Sequence, residues 1–187
     1  MKRGGGVLSL RRGRRSSLVP HPSSLHLTIP PWTLAGSALL FLHSWRSTLA
    51  LVHYDRSPVG AYNELAVVCW TRRGLAVTTM LVDSSASMHG GRANWGFPKR
   101  LAPLHWEREG RRARFEYSPR IWRARCWGPA LPLRVTARVT QVLHGRAVRV
   151  PVRLQGRARL AWRGRQIGVF VDEFAMTVLP PSPVTET

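Results

Sequence analysis

Three stretches in the last third of the chain restrict its fold most. "LRVTARVT" (133–140) sets Arg134, Thr136 and Arg138 on one side and Val135, Ala137 and Val139 on the other. "AVRVPVRL" (147–154) sets Arg149 and Arg153 opposite Val148, Val150, Val152 and Leu154. "RARLAWR" (157–163) sets Arg157, Arg159 and Arg163 opposite Ala158, Leu160 and Trp162. Successive side chains of a strand point to opposite faces, so a period of two belongs to strands with one face on a core and one in water. It is the pattern of an antiparallel sheet covered on one side. Here the solvated face is written in arginine.

The rest of the chain is punctuated in the same way. Pro30-Pro31 precede an apolar run, "LAGSALLFL" (34–42), short enough for one buried strand. "SPVGAYNE" (57–64) reads as a loop, with Pro58 and Gly60 as turn residues. "LAVVCW" (65–70) and "LAVTTMLVD" (75–83) are β-rich runs joined by the turn "TRRG". "SSASMHGGRANW" (84–95) breaks the pattern: Ser84 or Ser85 can cap a short helix that Gly90-Gly91 would interrupt or end. "APLHWERE", "RARFEYS" and "IWRARCW" then precede the arginine-faced strands, and "IGVFVDEFAMTVLPP" (167–181) closes the domain. Many short strands around one brief helix predict a mainly β (β-rich α+β) domain. The expected form is a mostly antiparallel barrel or sandwich, of which a closed barrel would also hide its sheet edges.

The 187 residues suffice for one domain with a real core. Residues 1–28 carry six cations and no acid and show no periodicity. They read as a disordered basic extension to a domain over 29–187. The formal net charge of +20 invites a nucleic-acid reading. Its distribution over alternating strand faces, with no binding motif and no aromatic stacking platform, points instead to a solvated surface, so no nucleic-acid partner is expected. No apolar run approaches the roughly 18 residues of a membrane span, and no membrane partner is expected. Two cysteines, Cys69 and Cys126, are too few for a disulfide framework and read as reduced, buried thiols of a cytoplasmic protein. No His/Cys cluster has metal-ligand spacing, so no metal is expected.

Of the 29 Lys and Arg residues only two are lysine, Lys2 and Lys99. Lys99 lies in "GGRANWGFPKRLA" (90–102), where Pro98 fixes its own φ and restricts Phe97. An amine attacks a carbonyl only when unprotonated, and free lysine has a pKa near ~10.4. Burial in an apolar pocket or an adjacent cation can lower it. Trp95, Phe97 and Pro98 could supply the first, and Arg100 the second if the turn folds it back. On local pattern alone a solvated surface lysine remains open.

The stretch Gly91-Arg92, then Gly96-Phe97-Pro98-Lys99-Arg100-Leu101-Ala102, resembles the active-site segment of the acetoacetate decarboxylase family. "PPWTLAG" (30–36) is similar to that family's opening strand, "SPVGAYNEL" (57–65) to a loop carrying a Glu, and "FAMTVLPP" (174–181) to its final strand. The resemblance implies that Lys99 forms a Schiff base with a β-keto acid or related carbonyl compound and that decarboxylation runs through the lysine iminium. Activation of such a lysine by a neighbouring cation is the device known from that family and enters with the resemblance. Glu64 would bind substrate or move a proton. Arg92, Trp95, Phe97, Arg100 and Tyr62 would shape the pocket or brace its loop. The implied protein is a single antiparallel closed or cone-like β-barrel with one or two short helices, a carboxy-lyase that needs no cofactor, takes a small keto acid or carbonyl substrate and assembles as a homo-oligomer. Two departures are expected to make the pocket less polar: Ala35 stands where the family's first strand carries an Arg, and Leu49 where a second pocket Glu aligns. The alternative is a non-catalytic, small-ligand-binding member of the same barrel family.

Overall fold

The computed structural model describes residues 28–184. Most of the expected basic extension, and the last three residues, lie outside that range. The strands are β1 (Trp32–Ser44), β2 (Ser47–Arg56), β3 (Tyr62–Thr71), β4 (Gly74–Val82), β5 (Lys99–Leu101), β6 (His105–Glu109), β7 (Arg112–Tyr117), β8 (Arg120–Leu143), β9 (Arg146–Arg163), β10 (Gln166–Val178) and β11 (Ser182–Pro183). One helix, α1 (Ser85–Trp95), interrupts them. The mainly β expectation therefore holds, with one helix among the described residues.

Hydrogen-bonded neighbours run β9–β10–β1–β2–β3–β4–β8, and β8 also pairs β9, so the pairings form a ring. The β4–β8 link is its thinnest part, a single bridge between Leu75 and Val139. Side chains reinforce that seam: Gln141 Nε2 donates to the Val77 carbonyl (3.2 Å) and Thr140 Oγ1 to that of Arg73 (3.0 Å). The sheet is not antiparallel throughout, because β4 pairs both β5 and β8 in parallel. Helix α1 is the crossover that makes the β4–β5 pair parallel, as any return to the same strand direction requires.

Two clusters make up the core. One lies inside the ring and gathers Trp32, Leu34, Ala38, Val52, Tyr62, Val82, Val150 and Phe174. The other lies on the outer side, where β6, β7 and the first half of β8 cover the ring. It gathers Leu39, Phe41, Leu51, Phe115, Trp122 and Phe170. The continuous apolar run of β1 follows from this: Ala38 and Leu39 point to opposite faces and both are buried.

The two-sided burial also corrects the strand reading. "IWRARCW" and "LRVTARVT" are halves of one 24-residue strand, β8, and the two later arginine-faced stretches are halves of β9. In the first half of β9 the valines face the core as expected. In the second half the faces are reversed: Ala161 is fully buried, while Leu160 and Trp162 are about half exposed. Arg159 and Arg163 share the buried side of Ala161 because partners wait there. Asp172 receives two bonds from Arg108 (2.6 and 3.0 Å) and one from Arg159 (3.4 Å), and Arg163 lies over the Trp122 ring. Both cysteines are free thiols, but only Cys126 is buried, and Cys69 is half-exposed. Burial pushes the Cys126 thiol up from its ordinary value.

Candidate active site

The site is built where α1 crosses the mouth of the ring. Ser84 caps the helix, its hydroxyl accepting from the Ser87 N–H at 3.2 Å. The helix does not end at Gly90-Gly91 but runs through both to Trp95. Each glycine costs a helix roughly 1 kcal/mol against alanine. Tertiary contact overrides that cost: a Cβ on Gly90 would stand 2.7 Å from the Trp32 ring, and one on Gly91 2.7 Å from Lys99 Cδ and Cε. Ser87, Gly90, Gly91 and Trp95 form the buried face, so small side chains let the helix lie close to β1 and β5.

Gly96 ends the helix in the left-handed region (φ 69°), its N–H donating to the Arg92 carbonyl at 3.0 Å. The chain then turns into β5, where Arg92 Nε donates to the Lys99 carbonyl (2.7 Å) and Lys99 N–H to the Phe97 carbonyl (2.8 Å). Lys99 pairs with Met80 of β4. Arg92 therefore braces the loop through the backbone and stays outside the cavity. Arg100 is exposed while Lys99 is buried, as alternation along a strand demands, so Arg100 neither lines the pocket nor serves as its cation.

Lys99 Nζ lies 3.0 Å from Glu64 Oε2, and both side chains are about 5% exposed. It donates to Ser87 Oγ at 2.8 Å and stands 5.2 Å over the Tyr62 ring. Glu64 is on strand β3, not on the expected loop, and its other oxygen accepts from the Tyr54 hydroxyl at 3.2 Å. Ser87 and Tyr54 were not singled out in the sequence. The small-residue spacing of Ser87 with Gly90 and Gly91, at i, i+3 and i+4, was the available signal for the first. Tyr54 had none, because β2 carries no marked punctuation.

The Tyr54 and Tyr62 rings pack at a tilt of 37° with centroids 4.6 Å apart. Burial, then the Glu64 charge, holds both phenols well above their ordinary value, so they are neutral donors at physiological pH. In an unfolded chain they ionise near pH ~10, losing protons the folded protein keeps. The stabilising difference is therefore fully present below that pH and is lost as pH rises above it. Thermal melts should show a falling Tm above pH ~10, with a shallower fall in Tyr54→Phe.

The Lys99–Glu64 pair opens on a cavity of about 210 Å³ inside the ring. Trp95, Phe97 and Tyr62 line it, together with Leu34, Leu40, Val68 and Phe174, and Glu64 and Lys99 are its only charged lining residues among those described. Neither aligned departure acts on this wall. Leu49 faces the outer core, and Ala35 is outside the lining while its neighbour Leu34 is in it. A larger groove of about 450 Å³ on the outer face of β6–β8 is bordered by Glu107, Arg112, Arg123 and Arg125 and holds no nucleophile.

The family model described as acetoacetate decarboxylase matches residues 45–119, which include Glu64 and Lys99. A solved acetoacetate decarboxylase from Legionella pneumophila superposes with a TM-score of 0.58 at 14% identity, over 90% of this chain and 93% of that one. The chain resembles the acetoacetate decarboxylase family in sequence and in fold. The enduracididine biosynthesis enzyme MppR, solved with pyruvate, gives the same TM-score of 0.58 and 14% identity, over 95% of this chain and 99% of its own. A further acetoacetate decarboxylase structure gives 0.52 at 10% identity, over 91% and 95%. No curated protein sequence matches. At these identities the structural likeness is one of fold. Within this acetoacetate decarboxylase-like fold no described helix is long and apolar enough to cross a membrane, and no described His, Cys, Asp and Glu residues gather as a metal site.

Proposed function

We propose that the chain is a Schiff-base-forming lyase that acts on a β-keto acid or related carbonyl compound through Lys99. The observation that carries this reading is a buried amine, 3.0 Å from a buried carboxylate, on the wall of an apolar cavity. Glu64 takes a proton from the Lys99 ammonium and the freed Nζ attacks the substrate carbonyl carbon; that proton, returned by Glu64, and a second one from Nζ pass to the carbonyl oxygen, which leaves as water. The iminium then accepts the electron pair of the breaking bond to the carboxylate carbon. Carbon dioxide departs and an enamine remains. A proton from water, relayed by Glu64, goes to the enamine carbon, and a second water then releases the ketone and frees Lys99. The neutral Tyr54 phenol holds the other Glu64 oxygen, and the Ser87 hydroxyl holds Nζ in line. Trp95, Phe97 and Tyr62 exclude water around the nitrogen.

A closed, cone-like barrel accompanies this reading, supported by the ring of pairings. So does self-association: Trp127, Leu160, Trp162, Ile167 and Val169 are exposed on neighbouring strands β8–β10. The free thiols agree with a cytoplasmic location.

Borohydride reduction in the presence of β-keto acids and aldehydes tests the proposal. The reduced adduct should map by mass spectrometry to the Lys99 peptide and not to Lys2, with carbon dioxide released from the β-keto acids before reduction. Saturable binding without an adduct from any carbonyl compound would overturn it in favour of a non-catalytic binder.

A further inference from the structure

The cavity differs in character from the pair that opens on it. Below Glu64 its wall is made of small side chains in register. Val52 pairs with Glu64 and with Ala38. One pleat further, Ala66 pairs with Ala50, which pairs with Leu40. Ala38, Ala50 and Ala66 all line the cavity, and Val68 continues it another pleat along β3. At about 3.3 Å per strand residue, Val68 is some 13 Å from Glu64 along the strand. Val171, which pairs with Ala38, and Phe174 on β10 continue the lining, with Val152 and Leu154 on β9.

A cavity of about 210 Å³ is larger than an apolar one of about 150 Å³ that accepts benzene, so this one has room for roughly eight non-hydrogen atoms. Its lining offers a second charged group nothing to pair with, since the only cation among the described lining residues, Lys99, already faces Glu64. A short, strongly polar keto acid would leave most of this space unfilled and its charge without a partner. Resting on the imine reading above, we infer that the substrate is a carbonyl compound with an apolar tail of about four to six carbons, seated along Ala38, Ala50 and Ala66 while its carbonyl meets Lys99. The tail supplies the binding energy, and the polar end is spent at Lys99.

Borohydride trapping on the full chain, compared across tail lengths, tests this. Heptan-2-one should half-saturate the trapping at a concentration at least about 30-fold below acetone, because each buried methylene adds severalfold. 3-Oxooctanoate should have the same advantage over acetoacetate, and pyruvate should trap poorly. Ala66→Leu, which fills the first pleat below Glu64, should bring the heptan-2-one to acetone ratio within about threefold. The wild-type ratios are read on the native protein, so the test does not depend on that variant folding. Acetone or acetoacetate trapping as well as its longer homologue overturns the tail while leaving the imine standing. A panel in which nothing traps overturns the imine reading and this inference with it.

Discussion

Lys99→Met is expected to abolish trapping with every carbonyl compound and to destabilise the fold by about 3–5 kcal/mol. The first effect follows from the loss of the nitrogen. The second follows from the buried carboxylate it leaves behind: Glu64 is about 5% exposed, and removing one partner of such a pair leaves an uncompensated charge. Glu64→Leu should cost about as much for the mirror reason. The pair as a whole contributes far less to stability than either half suggests, because desolvating two charges consumes most of their attraction. The double variant Glu64→Leu/Lys99→Met should therefore regain most of the lost stability in urea melts while remaining unable to form the adduct. If the double variant is as unstable as the two losses added together, the two groups are not a coupled pair.

Gly91→Ala separates position from chemistry. The added Cβ would stand 2.7 Å from Lys99 Cδ and Cε and 3.4 Å from Nζ. The lysine stem is the part that can yield, and yielding moves Nζ away from Ser87 at 2.8 Å and Glu64 at 3.0 Å. A displacement of about 1 Å at a reacting group can cost on the order of 100-fold in rate, and trapping should fall by about that factor. Stability should change little, since the helix gains roughly 1 kcal/mol from losing a glycine. Gly90→Ala is the contrast: its Cβ meets the buried Trp32 ring at 2.7 Å, so it should lose stability without a selective loss of trapping. Trapping by Gly91→Ala at the wild-type rate would show that the lysine has slack the contact geometry does not suggest.

Much of the site was legible in the chain. Lys99 stood out because the sequence writes nearly every other cation as arginine, and because the residues around it match a family segment. Trp95, Phe97 and Tyr62 line its cavity. Arg100 could not be placed from sequence, since a turn that folds back and a strand that alternates differ only in backbone dihedrals. Glu64 was legible as a residue but not as a strand position, because the turn signals of Pro58 and Gly60 lie close before it. Ser87 was hidden because a serine near a cap reads as part of the cap.

The sequence alone determined the β class, the outward arginines of β8 and the first half of β9, a serine cap at Ser84 or Ser85, and Lys99 as the candidate amine. These rest on local rules, a period of two or a side chain that bonds its own backbone a few residues on, which need nothing distant. The tertiary structure alone decided the rest. It turned four short strands into the two long ones, β8 and β9. It reversed the faces of β9 halfway, because a second core covers the ring from outside. It carried α1 through two glycines, because Trp32 and Lys99 occupy the space their side chains would need. Above all it brought Glu64, Ser87 and Lys99 together from a strand, a helix and the short strand that follows it. Contacts of that kind are decided by packing between elements, which no local pattern of residues encodes.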